Sequence, residues 1–140
     1  MTYGRRFVVV DTSTLISAVL KPNSVPAKAL DLVRVQGEIA VSLETLAELG
    51  SVLSRNTLDR YSAQTDRTQF LTFYTEAAVL FEVTEQVLDC RDAKANKFLS
   101  LALAAKATVI VSSDADLQVL HPYRGIAILS PSQVLALARR

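Results

Sequence analysis

Asp11, Glu48, Asp114 and Asp116 are the residues of this sequence whose types and positions suit joint chemistry. Asp11 directly follows the apolar run Phe7-Val8-Val9-Val10, and Asp114 and Asp116 follow Val109-Ile110-Val111 after two serines. A short continuous run of this kind reads as a strand buried on both faces, and in open parallel sheets ligands bind outside the carboxyl ends of such strands. If the two strands are neighbours, their aspartates repel across a few ångströms of partly desolvated cleft unless a cation neutralises them. The residues therefore point to a divalent-metal site, and oxygen ligands suit magnesium or manganese.

Such a site needs elements to hold it, and the rest of the chain supplies alternating ones. Residues 6 to 10 read as the first strand, and Thr14 to Leu20 as a helix or a turn under the sheet. Asn23 or Ser24 can cap a second helix with Pro26 in its first turn and Gly37 at its end, before a short strand from Glu38 to Val41. Ser42 precedes a helix with the apolar stripe Leu46, Leu49, Val52 and Leu53; Glu44 and Glu48, four apart, share one face and can point at the same place. Tyr61-Ser62 opens a longer helix with Phe70, Phe73/Tyr74 and Ala77 inward, and Val79 to Val83 reads as the third strand. A helix over about 95 to 106, a strand from Ala107 to Ser112, a short helix from Asp114 to Leu120, a strand from Gly125 to Leu129 and a closing helix from Pro131 to Ala138, capped by Ser130, complete the pattern. Strands separated by helices predict an α/β three-layer sandwich: a central parallel five-stranded sheet flanked by helices, one domain over residues 1–140.

Composition narrows the classes. Half the residues are apolar, with four glycines and four prolines, which argues for a packed core and against disorder. The single cysteine, Cys90, forms no internal disulfide and with the single histidine, His121, makes no Cys/His metal cluster; Cys90 reads as a packed small side chain and His121 as a loop residue. A reducing cytoplasmic location is expected. Arg5 and Arg6 precede an apolar stretch broken at once by Asp11, Thr12 and Ser13, so neither a signal peptide nor a membrane span is expected. The formal net charge of +1 announces no nucleic-acid binding, which must rest on local clusters if it occurs.

Four segments then occur in register: Val10-Asp11-Thr12-Ser13-Thr14-Leu15-Ile16-Ser17-Ala18, the helix Glu44-x-x-x-Glu48-Leu49, Cys90-Arg91-Asp92-Ala93-Lys94-Ala95-Asn96-Lys97-Phe98-Leu99, and Val111-Ser112-Ser113-Asp114-Ala115-Asp116-Leu117. In order and spacing they resemble the PIN-domain family, and within it the small prokaryotic, VapC-like toxins of toxin–antitoxin pairs. The resemblance spans nearly the whole chain. It implies a metal-dependent endoribonuclease acting on RNA, a homodimer and an antitoxin protein as partner. Carried over by position, the family's acids fall on Asp11, Glu48 and Asp114, with Asp116 an accessory. A further family acid is replaced by Ala95; Ser13 stands for a common asparagine and Ser112-Ser113 for the usual Thr-Gly.

The chemistry agrees with the side chains. Phosphodiester hydrolysis needs an activated water and a stabilised leaving oxygen, which one or two hard cations provide when carboxylates fix them and leave positions open. Asp92, three residues before Ala95, is placed to compensate for the missing acid or simply to cap the following helix. Thr12 and Ser13 can hydrogen-bond a ligand carboxylate or a metal-bound water. Arg91, Lys94 and Lys97, spaced by three, form either a basic row for RNA phosphates or a solvated face. Asp116 likewise serves as a ligand or as a helix cap. Two other readings compete with the nuclease: a non-catalytic PIN module that binds RNA or an antitoxin, and an aspartyl phosphatase with Asp11 as nucleophile, against which stands Ser13 where such enzymes carry a second acid.

Overall fold

The computed structural model of the chain describes residues 6–138, so that Arg5 lies outside them. The first strand, β1 (Phe7–Val10), passes through Asp11 into helix α1 (Thr12–Leu20). There follow α2 (Val25–Gln36), β2 (Glu38–Val41), α3 (Leu43–Leu53), α4 (Gln64–Ala77), β3 (Val79–Leu80), α5 (Asn96–Ala105), β4 (Val109–Val111), the one-turn α6 (Ala115–Gln118), β5 (Ala127–Leu129) and α7 (Pro131–Ala138). Short 3-10 turns at Asn56–Leu58 and Ala93–Ala95 precede α4 and α5. The five strands form one sheet, all pairs parallel, in the order β3-β2-β1-β4-β5.

The alternation of side chains across each strand divides the core in two. Val9, Ala40, Ile110 and Ile128 face one cluster with Phe98, Leu99, Leu101 and Ala102 of α5. Val8, Val10, Ile39, Val41 and Val111 face the other, with Leu15 and Ala18 of α1, Leu30 and Val33 of α2, Leu49 and Leu53 of α3 and Tyr74 of α4. Helices thus cover both faces of the sheet, as the pattern of elements predicts. Local signals explain several boundaries. Ser24 caps α2 by accepting from the Ala27 N–H at 3.3 Å, and Gly37 ends that helix where a Cβ would stand 2.5 Å from the Arg6 carbonyl oxygen. Thr14 to Leu20 is helical, and the helix begins two residues earlier because Asp11 caps it.

Three expectations need correction. The third strand stops at Leu80 rather than Val83: after Phe81 N–H donates to Val41 O at 2.8 Å, β2 has no further residue to pair with. Phe81 instead packs edge-on against Phe7, with ring centroids 4.9 Å apart, and the chain leaves the sheet. The helix expected from Tyr61-Ser62 begins at Gln64, because the buried Arg67 gathers the preceding loop, donating to the carbonyls of Leu53, Arg55 and Ser62 and to Asp59. Its Phe73 is 58% exposed while Tyr74 points inward. The fourth and fifth strands are shorter than expected, at Val109–Val111 and Ala127–Leu129. Among the described residues no helix is long and apolar enough to cross a membrane.

Candidate active site

β1 and β4 are adjacent and in register, with Val10 opposite Val111, so the residues that follow them emerge at the same edge of the sheet. The Asp11 N–H donates to Val111 O at 3.1 Å, extending the ladder by one bond. Asp11 is buried. Its Oδ1 accepts the Thr14 N–H at 3.0 Å and its Oδ2 accepts the Ser112 hydroxyl at 2.5 Å. Ser112 in turn accepts the Asp114 N–H at 3.0 Å, and Asp114 Oδ1 accepts the Asp116 N–H at 2.9 Å, capping α6. Burial pushes the Asp11 carboxyl above its ordinary value and the Asp114 charge adds to that, against hydrogen bonds from Ser112 and Thr14 that favour the anion.

Glu48 reaches the same place from α3, but both of its oxygens are engaged. Oε1 accepts the Thr12 hydroxyl, and Oε2 lies 2.8 Å from the Lys97 ammonium. Asp11, Thr12, Ser13, Glu48, Asp92, Lys94, Ala95 and Asp114 line one open cleft of about 450 Å³. Glu44 does not converge on it: with Lys97 it lines a neighbouring hollow beside Phe81 and Glu82, so the two glutamates of α3 look into different spaces. Ser13 is exposed, its hydroxyl 3.5 Å from Asp11 Oδ2. Asp92 accepts the Lys94 N–H at 3.1 Å and so caps the Ala93–Ala95 turn, while standing on the cleft wall. Asp116 and Arg91 are not on that wall; the carbonyl of Asp116 faces the thiol of Cys90 at 3.6 Å. Cys90 is buried, and His121, in its loop, accepts the Ile128 N–H on Nδ1 at 2.9 Å.

Two contributors were not foreseen. Ser112 carries no charge and its link between the acids depends on strand register, which a sequence does not print. Arg55 also lines the cleft, from the loop after α3 whose backbone Arg67 holds. Among the described residues no three His, Cys, Asp or Glu side chains stand together as an ion cage, and Glu48 is held by Thr12 and Lys97. The donor set nevertheless fits one hard cation. Asp11 and Asp114 offer oxygens only, and this mutually repelling pair, Asp11 buried and Asp114 half-buried, lacks the positive charge a dication supplies.

Comparison with known proteins identifies the family. A family model described as PIN domain matches residues 7–116. The uncharacterized protein MJ1680 of Methanocaldococcus jannaschii is 33% identical over 112 residues, which cover 79% of this chain and 72% of that protein. Two crystal structures share the fold at low identity. VapBC2 from Rickettsia felis, bound to a DNA fragment from their promoter, aligns at a TM-score of 0.59 and 14% identity over 89% of this chain and 98% of that chain. PAE2754 from Pyrobaculum aerophilum aligns at 0.64 and 15% identity over 97% and 91%. With its acids after β1 and β4 joined through Ser112 and its family match running through both, the chain belongs to the PIN-domain family.

Proposed function

We propose that the chain is a metal-dependent endoribonuclease, the toxin of a toxin–antitoxin pair, with activity lowered by the alanine at position 95. The observation that carries this reading is the hydrogen-bonded link Asp11–Ser112–Asp114 at the edge of the sheet, in an open cleft of about 450 Å³. Bound magnesium or manganese would supply the Lewis acid and the activated water for phosphodiester hydrolysis. Asp11 and Asp114 would hold the cation, and Ser112, bonded to both residues, fixes one relative to the other. Glu48, the third catalytic acid, accepts the Thr12 hydroxyl on the cleft wall. Arg55 and Lys94 stand beside it with cationic side chains suited to RNA phosphates. The likeness to VapBC2 supports an antitoxin protein as partner; a cytoplasmic homodimer is part of the same proposal.

A test is cleavage of a mixed RNA in manganese by the parent, Asp11→Asn and Asp114→Asn. Cleavage by the parent that EDTA and either substitution abolish is the expected result. The lack of a three-acid cage among the described residues favours a second reading, a PIN module that binds RNA or an antitoxin without cutting. RNA binding with no cleavage at any manganese concentration would select it.

A further inference from the structure

We propose that Lys97 is a resident cation that neutralises Glu48, so that the cleft binds a single divalent ion through Asp11 and Asp114. The inference deepens the metal-dependent reading above and rests on it. The Lys97 side chain is 13% exposed and that of Glu48 27%, so their 2.8 Å contact is shielded from much of the solvent that weakens surface ion pairs. The ammonium is fixed a second time by donating to the Lys94 carbonyl, and it lies 5.5 Å from the centre of the Phe98 ring. It is therefore a held charge and not a wandering one. Glu44 and Glu82 line the same hollow, yet Lys97 pairs with Glu48.

The arrangement accounts for the charges around the cleft. With one oxygen of Glu48 on Thr12 and the other on Lys97, a dication approaching this carboxylate meets a neutral pair instead of an anion. On the α5 side the cleft wall carries the buried methyl of Ala95, which offers no replacement ligand. Of the other carboxylates on the wall, Asp92 caps its own turn by accepting the Lys94 N–H, which leaves Asp11 and Asp114, linked through Ser112, as the pair whose two negative charges match one dication. Lys97 is thus a positioning residue that reaches Glu48 from the hollow beyond it, and not an RNA ligand in the cleft.

Manganese binding to the full chain, followed by calorimetry and by the electron paramagnetic resonance signal of free Mn2+, tests this without reference to turnover. The parent and Lys97→Arg should each bind one ion. Asp114→Asn should weaken binding by about tenfold or more, and Glu48→Gln by no more than about threefold. Lys97→Met should tighten binding by about tenfold or admit a second ion, because it unmasks a carboxylate; if that variant does not fold, Lys97→Gln carries the same expectation. A gain of affinity is not what loss of a merely structural contact produces. Two ions on the parent, equal losses in Glu48→Gln and Asp114→Asn, or unchanged or weaker binding in the Lys97 variants would overturn the proposal and leave the metal site standing. No Mn2+ on the parent or any variant would overturn both.

Discussion

Asp11 and Asp114, at the ends of adjacent strands, are locked to one another through a single hydroxyl: Ser112 donates to Asp11 Oδ2 at 2.5 Å and accepts the Asp114 N–H at 3.0 Å. Ser112 is fully buried, so neither bond competes with bulk water. The parallel register of β1 with β4 is what allows one side chain to serve both acids.

Ser112→Ala should therefore cost more than a surface serine. It leaves the Asp114 N–H short of an acceptor and the Asp11 carboxylate without one of its donors, a loss of about 1–3 kcal/mol. Urea denaturation measures it, and manganese affinity should fall alongside. A change within about 0.5 kcal/mol, the range of ordinary surface substitutions, would show that the link does not hold the edge together.

Asp11 also sets a pH dependence. Its folded-state value is raised above the ordinary 3.8, so the folded state holds the proton longer than the unfolded chain does. The stability tied to the protonated carboxyl is fully present below the unfolded value and is lost as pH rises through the folded one. In EDTA, Asp11→Asn should melt close to the parent near the low end of that window and several degrees above it at neutral pH. Manganese should close the gap by stabilising the parent alone, by about 2.7 kcal/mol when free metal reaches a hundred times its dissociation constant. Parallel melting curves for the two proteins across the window would refute the assignment.

The structure also separates the basic residues that the spacing groups together. Arg55 and Lys94 line the cleft, whereas Lys97 is paired with Glu48 and Arg91 lies off the wall. Replacing Arg55 and Lys94 with alanine should flatten the salt dependence of RNA binding by about 0.7 log unit per lost phosphate contact. Lys97→Ala should not flatten it. Fluorescence anisotropy across a salt series distinguishes them, and an equal effect from Lys97 would return it to the RNA path.

Much of this was legible in the residues. Continuous apolar runs followed by aspartate, directly after Val10 and two serines after Val111, revealed β1 and β4, and the helix signals at Ser24, Pro26, Ser42 and Ser130 marked true starts, because caps act within a few residues of chain. What stayed hidden depends on partners distant in sequence. β3 is cut short by the length of its neighbour, α4 begins where Arg67 collects three loop groups and the last carbonyl of α3, and Glu48 is held by a lysine of another helix. The i, i+4 spacing of Glu44 and Glu48 gave a shared face correctly in principle, yet Glu48 turns toward Thr12 and Glu44 toward the outer hollow.

Ala95 offers the sharpest test of the catalytic reading. It is buried on the cleft wall at the start of α5, where the helix macrodipole tolerates negative charge. Ala95→Asp should lower stability in EDTA by about 1–3 kcal/mol, since it adds a poorly solvated charge beside Asp11 and Asp114, and manganese should recover that loss. Single-turnover RNA cleavage in manganese should rise by about tenfold. Asp92 gives the contrast: its carboxylate already caps the turn through the Lys94 N–H, so Asp92→Ala should cost about 1 kcal/mol and change cleavage little. If Asp92→Ala is instead nearly inactive and Ala95→Asp is neutral, Asp92 is the ligand that replaces the missing acid. If none of the three proteins cleaves while the folded chain still binds RNA or an antitoxin, the non-catalytic module is the correct reading.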